Sequence, residues 1–282
     1  MNAIIGGLGA ALCWATATLC AARASRLVGA LSVLACVMMV GFAITGPMAA
    51  FSGIPRGLHG IQLLWIALAG AGNVAGLLLA YEAMTRGKVS IVAPITSTEG
   101  AIAALLAVAT GESLGVSSAV LLTLMVGGVV LASLTSSDET AGGGHTVQAT
   151  LLAGGAALSF GASLFATARL SNALPLVWAV IPPRLVGVLV VAVPLLVARR
   201  VRMETAAVPL VIVSGVGEVA GFAAFSWGAR HGVAVSAVLG SQFAAFAAAA
   251  AFLLFHERLQ RLQILGITTI AICVALLSAI RA

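Results

Sequence analysis

The sequence contains very little charge. Of its 282 residues, 14 are lysine or arginine and 8 are aspartate or glutamate, so charged residues make up 8% of the chain. A soluble globular domain carries about 25% charged residues, and this composition excludes that class. Hydrophobic residues make up 61% of the chain, and its mean hydropathy is +1.17. We therefore predict a membrane protein.

Cysteine is scarce as well, with only four residues. They lie in apolar stretches and show neither a CxxC pair nor a spacing with histidine that would suit zinc. The four histidines have no neighbours in nucleophile or metal-ligand spacing. We predict no metal, no cofactor and no enzymatic activity.

Apolar runs long enough to cross about 30 Å of hydrocarbon, roughly 20 residues each, recur along the whole chain. The first run has no basic segment before it and is long for a signal-peptide core, so we predict a retained helix. The fold class predicted is all-α integral membrane. We predict ten transmembrane helices, at residues 2–22, 29–50, 61–83, 89–110, 114–135, 147–168, 175–197, 206–228, 233–254 and 261–280.

The sequence repeats itself. "GAGNVAGLLLAYEAMTRGKV" (70–89) aligns without gaps on "GVGEVAGFAAFSWGARHGVA" (215–234) at an offset of 145. Near the start of each half, "GAALCWATATLCAAR" (9–23) resembles "GAALSFGASLFATAR" (155–169) at an offset of 146. We infer a duplication.

The predicted repeats are residues 1–136 and 147–282, joined by a flexible linker at 137–146 that is rich in glycine. Each repeat holds five spans, so the second must enter the bilayer from the side opposite to the first. Two inverted repeats are typical of secondary transporters, because they can rock about a site at the midplane of the membrane. We therefore predict a carrier.

The segments "YEAMTRGKVSIVAPITSTEGAIAALLAVATGESL" (81–114) and "SWGARHGVAVSAVLGSQFAAFAAAAAFLLFHERL" (226–259) resemble the fourth-helix signature of the EamA-like family, in the drug/metabolite transporter (DMT) superfamily. The resemblance covers nearly the whole chain. It implies a bacterial inner-membrane exporter or exchanger of amino acids or related small metabolites. The first-helix aromatic-glycine pair departs from the family pattern, because it is Trp14-Ala15 in the first half and Phe160-Gly161 only in the second.

The net charge of +6 does not indicate a nucleic-acid partner, because the basic residues are spread over the short loops between spans. There they set the orientation in the membrane. One side receives Arg23, Arg26, Arg86, Lys88, Arg199, Arg200, Arg202, Arg258 and Arg261, and the other Arg56, Arg169, Arg230 and Arg281. This distribution predicts that the first side is cytoplasmic and both termini are outside, whereas the family resemblance implies cytoplasmic termini.

An ionised side chain at the centre of a membrane helix costs about 2.5–3.5 kcal/mol, so it needs a partner, a cavity or a function. Four side chains within the spans pose this question: Glu82, Glu99, Arg184 and Glu218. We predict that Glu82 pairs with Arg86 near the interface.

Glu218 and its repeat counterpart Asn73 both lie inside GxxxG runs, at 217–221 and 72–76. Such runs allow two helices to approach closely, and we predict that they pack spans three and eight together. The two polar side chains then either hydrogen bond between helices or contact the substrate.

Arg184 follows two prolines that leave backbone carbonyls without helical partners, an arrangement tolerated beside a cavity. Its guanidinium can clamp a substrate carboxylate or neutralise one of the glutamates. Both interpretations stay open, as does an alternation between them.

Glu99 follows three hydroxyl residues, and a helix this polar at its centre is not expected to face lipid. We hypothesise that Glu99 is a proton-coupling carboxylate, because burial disfavours its charged form; the alternative is a neutral Glu99 hydrogen-bonded within the bundle. Trp14 is deep enough in its span to stack against a ligand. The predicted cavity residues are Trp14, Asn73, Thr96, Ser97, Thr98, Glu99, Phe160, Arg184, Glu218, Ser241 and Gln242.

The predicted function is secondary active transport of small metabolites such as amino acids by alternating access, coupled to protons. A carrier of lipophilic cations for efflux is an alternative, and a non-transporting membrane scaffold is an alternative of a different class. The predicted partners are a small-molecule substrate, the lipid bilayer and protons. The sequence leaves the oligomeric state open.

Overall fold

The computed structural model describes residues 1–55, 58, 60–87, 89–133, 143–243 and 245–246, and in the last segment residues 262, 264–266, 268–269, 272–273, 276 and 280. Within these residues the chain is helical and contains no β-strand. Eleven α-helices have defined bounds: α1 Asn2–Val28, α2 Ala30–Ser52, α3 Gly60–Arg86, α4 Val89–Thr96, α5 Glu99–Ala109, α6 Val116–Ser133, α7 Gly143–Ala173, α8 Leu176–Gly187, α9 Val193–Val197, α10 Val208–Ala229 and α11 Val233–Gly240. A π-helical segment, Val188–Ala192, joins α8 to α9.

In the described part of the chain, six helices are long and apolar enough to cross a membrane: Asn2–Val28, Ala30–Ser52, Gly60–Arg86, Val147–Ala173, Leu176–Val197 and Val208–Ala229. They correspond to the first, second, third, sixth, seventh and eighth predicted spans. The fifth predicted span contains the shorter apolar helix Val116–Gly128. Helix α7 begins at Gly143, inside the predicted linker, and most of the tenth predicted span lies outside the described residues.

The fourth predicted span is broken into two helices. Helix α4 ends at Thr96, residues 97–98 form a turn, and α5 begins at Glu99. The ninth predicted span breaks at the equivalent place, because α11 ends at Gly240, residues 241–242 form a turn, and helical residues resume at Phe243. Unwound backbone at this depth is tolerated only where it is buried in protein or lines a cavity.

The glycines of the GxxxG runs place α3 against α7 and α10 against α1. A side chain at Gly76 would overlap Phe160, and one at Gly221 would overlap Trp14. The predicted packing of spans three and eight against each other is therefore wrong. A GxxxG run provides a shallow groove on a helix but does not specify which helix fills it, and here each groove holds the first helix of the other half.

Hydrogen bonds of residues at helix ends define two ends of the helix bundle. At the end that contains the N-terminus, the side chain of Asn2 hydrogen bonds with His231 (3.2 Å), and the Trp178 indole donates to Gly53 O (3.1 Å). At the opposite end, Arg26 donates to Met84 O and Gly87 O (both 3.4 Å). We call these the N-terminal end and the opposite end.

Candidate functional site

A narrow cavity lies at the centre of the bundle, with a volume of about 40 Å³ for the centres of water molecules. That is room for about three waters. Six of the predicted cavity residues line it: Trp14, Asn73, Thr96, Glu99, Phe160 and Glu218. The other lining residues are Thr18, Leu77, Ala80, Tyr81, Met84, Leu164, Phe222 and Phe243. We call this the central cavity.

Trp14 and Phe160 occupy equivalent places in the two halves. Each is the aromatic residue of its first helix, and each covers a glycine of the other half, Gly221 under Trp14 and Gly76 under Phe160. Trp14 also packs edge-on against Phe222, with ring centroids 5.3 Å apart. The departure of the first half from the family pattern therefore changes the aromatic side chain without moving it away from the cavity.

Arg184 is fully buried and forms an ion pair with Glu218. Its Nη2 lies 3.6 Å from Glu218 Oε2, and its guanidinium carbon lies 4.6 Å from the centroid of the Phe222 ring. The distance is too long for a hydrogen bond, and none of the three guanidinium nitrogens has a hydrogen-bond partner. Glu218 lines the central cavity and Arg184 does not, so the carboxylate separates the guanidinium from the cavity.

The local sequence makes room for this guanidinium. Pro182 and Pro183 lie inside α8 just before Arg184, and Gly41 on α2 faces the Arg184 side chain. A side chain at Gly41 would collide with the aliphatic part of Arg184. Small residues and prolines at this crossing thus hold a charged side chain deep in the bundle.

Glu99 is 5% exposed and is the first residue of α5. Its carboxylate lines the central cavity and interacts electrostatically with Glu218. A carboxylate at a helix N-terminus is favoured by the helix dipole. The two acidic side chains therefore share one cavity, and the arginine is paired with Glu218 rather than with Glu99.

Four predicted residues lie at the helix breaks and do not line the cavity: Ser97, Thr98, Ser241 and Gln242. Thr98 Oγ1 donates to Ile95 O (2.7 Å), and Ser241 Oγ and Gln242 Nε2 both donate to Val238 O (2.9 and 2.8 Å). These bonds satisfy carbonyls at the ends of α4 and α11. The two breaks also lie against each other, because Gly100 faces Ser241. Thr98, Ser241 and Gln242 thus bond to the backbone at the two breaks, whereas the buried Ser97 hydroxyl has no hydrogen-bond partner among the described residues.

Sequence analysis missed part of the cavity wall, and helix periodicity could have found it. Thr18 lies four residues after Trp14, Leu164 four after Phe160, and Phe222 four after Glu218. Leu77 and Tyr81 continue the same face from Asn73 in steps of four. Residues four apart share one face of a helix. Tyr81 is the only tyrosine of the chain and is 3% exposed.

A second, larger cavity of about 500 Å³ opens at the N-terminal end. It lies between the C-terminal ends of α5, α7 and α10, and we call it the vestibule. The central cavity instead extends toward the opposite end, through Tyr81 and Met84. Between the two cavities lies a buried hydrophobic layer that includes Leu164, Phe165 and Phe225.

This architecture resembles that of a protein of known structure. A solved structure, described only as "Crystal structure of protein", superposes with a TM-score of 0.78 at 15% sequence identity, covering 99% of this chain and 96% of that one. At this identity the likeness shows the fold alone. No curated protein matches the chain. Residues 1–134 match the model of the EamA-like transporter family, which belongs to the DMT superfamily. This match and the six apolar helices of the described residues support a multi-pass membrane protein of the transporter type.

Proposed function

We propose that the protein is a secondary active transporter that works by alternating access. Its architecture would be ten transmembrane helices in two inverted repeats, 1–136 and 147–282. Equivalent contacts support this: Trp14 on Gly221 repeats as Phe160 on Gly76, and the breaks after Thr96 and Gly240 lie within one residue of corresponding positions. Two halves that exchange the same contacts can rock against each other without losing them.

The observation that carries the proposal is the placement of Glu99 and Glu218 in one buried cavity between the halves. A scaffold protein has no need for two carboxylates at this depth, and each is expensive there. The cavity is too small for a metabolite in this conformation, so transport requires it to widen. An alternating-access cycle provides that step.

The substrate class that the cavity fits best is a small molecule with an ammonium group, such as an amino acid. Phe160, Phe222 and Phe243 supply aromatic faces, and Glu99 supplies a carboxylate. The carboxylate of an amino acid would bind Arg184 once Glu218 moves aside, because its guanidinium nitrogens have no hydrogen bonds. A lipophilic cation would use only the aromatic faces and the glutamates. This difference separates the two candidate substrates.

In the proposed cycle Glu99 carries the coupled proton, and the carrier exports or exchanges its substrate across the bacterial inner membrane. Protonated Glu99 loses its attraction for an ammonium group, so proton binding and substrate binding exclude each other. The charge distribution of the loops puts the N-terminal end outside. Cytoplasmic fluorescence of a reporter fused to Ala282 would contradict that orientation.

The test is transport in proteoliposomes by Glu99→Gln, with a panel of amino acids and lipophilic cations as substrates. Glutamine keeps the shape of the side chain but does not titrate, so exchange of substrate for substrate should persist while acceleration by an imposed pH gradient is lost. Glu82→Gln is the matched control, because Glu82 is partly exposed and paired with Arg86 (2.6 Å). If Glu99→Gln responds to the gradient as the wild type does, Glu99 is structural and Glu218 is the next carboxylate to test.

A further inference from the structure

Among the described residues, the vestibule contains one arginine that makes no hydrogen bond to the protein. Arg230 donates to Ser171 O (2.7 Å) and Leu174 O (3.0 Å), and Glu112 accepts from Ala234 N (3.2 Å). Both side chains therefore hold backbone in place. Arg169, on the same cavity wall, has no such bond within the described part of the chain.

Arg169 instead contacts an aromatic ring. Its guanidinium carbon lies 5.0 Å from the centroid of the Phe165 ring, one turn earlier on α7. A partly exposed guanidinium over a ring face keeps its N–H donors directed to the cavity edge, and those donors match a carboxylate in bidentate geometry. Arg169 is therefore prepared to take an anionic group from the vestibule.

Phe165 belongs to the layer that separates the vestibule from the central cavity. It is 6% exposed and packs edge-on against Trp65, with ring centroids 5.7 Å apart and an interplanar angle of 89°. It lines the vestibule, while the next residue toward the N-terminus, Leu164, lines the central cavity. Phe165 therefore forms the vestibule side of the layer that separates the two spaces.

We propose that Arg169 is the docking point at the N-terminal end for the carboxylate of a molecule that enters or leaves the carrier there. Docking withdraws the guanidinium from Phe165, the side chain that closes the vestibule off from the central cavity. The proposal rests on the transport function proposed above. The carboxylate of the ligand replaces the Phe165 ring as the partner of the Arg169 guanidinium. Ligand binding therefore weakens the contact that holds Phe165 in its closing position.

The first measurement uses a cysteine-free background with a reporter cysteine, Ser113→Cys, on the vestibule wall. The probes are two methanethiosulfonate reagents of opposite charge, the ethylsulfonate MTSES and the ethyltrimethylammonium MTSET. Arg169→Gln should lower the ratio of the MTSES rate to the MTSET rate about five- to tenfold, because a unit charge within several ångströms attracts one reagent and repels the other. Arg169→Lys keeps the charge and should keep the ratio.

The second measurement follows the Phe165 side chain. In a variant whose other three tryptophans are phenylalanine, Trp65 emission reports the Phe165 contact. Replacing chloride with acetate at constant ionic strength should shift this emission, and acetamide should not. Arg169→Gln should abolish the acetate shift. The matched control is Arg23→Gln, the repeat equivalent of Arg169 at an offset of 146, which should change neither measurement.

An unchanged MTSES/MTSET ratio in Arg169→Gln overturns the docking site. A ratio that falls while the acetate shift persists overturns the link to Phe165. Should Arg169→Gln fail to fold, the acetate response of the parent protein and of Arg169→Lys, together with the loss of the reagent ratio at high salt, decides the same question. Neither readout requires transport, so a protein that fails the proteoliposome assay still tests this proposal.

Discussion

The two halves of the molecule make equivalent contacts where α2 crosses α8, but the side chains in those contacts differ in chemistry. In the second half Arg184 lies over Gly41, and in the first half Met38 lies over Gly187. Met38 corresponds to Arg184, and Gly41 corresponds to Gly187, at the repeat offset of 146. One half thus places a guanidinium where the other places a thioether.

The partner of that side chain differs in the same way. Glu218 faces the central cavity in the second half, and its counterpart Asn73, 1% exposed, faces it in the first. Met38 packs against Gly187 as Arg184 packs against Gly41, so this packing does not require a charge. Replacing a buried ion pair with neutral residues often leaves stability unchanged or higher. The asymmetry therefore makes the charged pair a direct test of the proposed transport function.

The largest expected effect comes from removing one charge. Arg184→Met gives the second half the side chain of the first but leaves Glu218 buried without its cation. The free energy of unfolding should fall by about 3–5 kcal/mol. Equilibrium unfolding in mixed micelles measures this, and a stability equal to that of the wild type would show that the neighbouring side chains already compensate Glu218.

The double variant Arg184→Met/Glu218→Asn completes the neutral pair and sharpens the comparison. Its stability should return to within about 1 kcal/mol of the wild type, since no unpaired charge remains. Transport in proteoliposomes should be lost. A double variant that transports normally would mean that the ion pair serves folding or membrane insertion instead.

Overpacking the two glycines tests whether the halves are mechanically equivalent. Gly221→Leu should displace Trp14, Gly76→Leu should displace Phe160, and each should cost about 1–3 kcal/mol. The control is Gly154→Leu on α7, because nothing lies near that position. Thermal unfolding of the three variants ranks their losses of stability. A loss in Gly154→Leu as large as in the other two would contradict the packing explanation.

Trp14→Phe makes the two aromatic positions identical and has the smallest expected effect. The ring remains over Gly221 and beside Phe222, so the loss should be about 1 kcal/mol or less. Substrate counterflow in proteoliposomes should show a changed preference among amino acids, because the cavity wall loses part of its surface. An unchanged preference would place the substrate away from Trp14.

The sequence allowed part of this to be predicted because composition and repetition act over many residues. The helical membrane class and the family resemblance followed from them, and so did the cavity residues Glu99 and Glu218. The pairing of Glu82 with Arg86 followed from their spacing and is confirmed. The partner of each GxxxG groove was predicted wrongly, because a groove is a local shape and its occupant is chosen by the whole bundle.

Other features were hidden for physical reasons. The partner of Arg184 lies on another helix, and no spacing along the chain relates it to Glu218. Tyr81 was passed over because its neighbour Glu82 carried the charge. The helix breaks lie in apolar stretches whose hydropathy continues without interruption, so only the fold reveals them.

The break at 97–98 separates α5 from α4, so α5 can tilt about its own N-terminal end. The helix has 11 residues, which at about 1.5 Å per residue gives an arm of roughly 16 Å. It begins at Glu99 beside the central cavity and ends at Ala109, next to the vestibule wall. A tilt of about 10° would therefore carry its far end about 3 Å, the diameter of a water molecule, while Glu99 near the pivot stays almost still. A rotation this small can change the width of the vestibule while the Glu99 carboxylate stays in place.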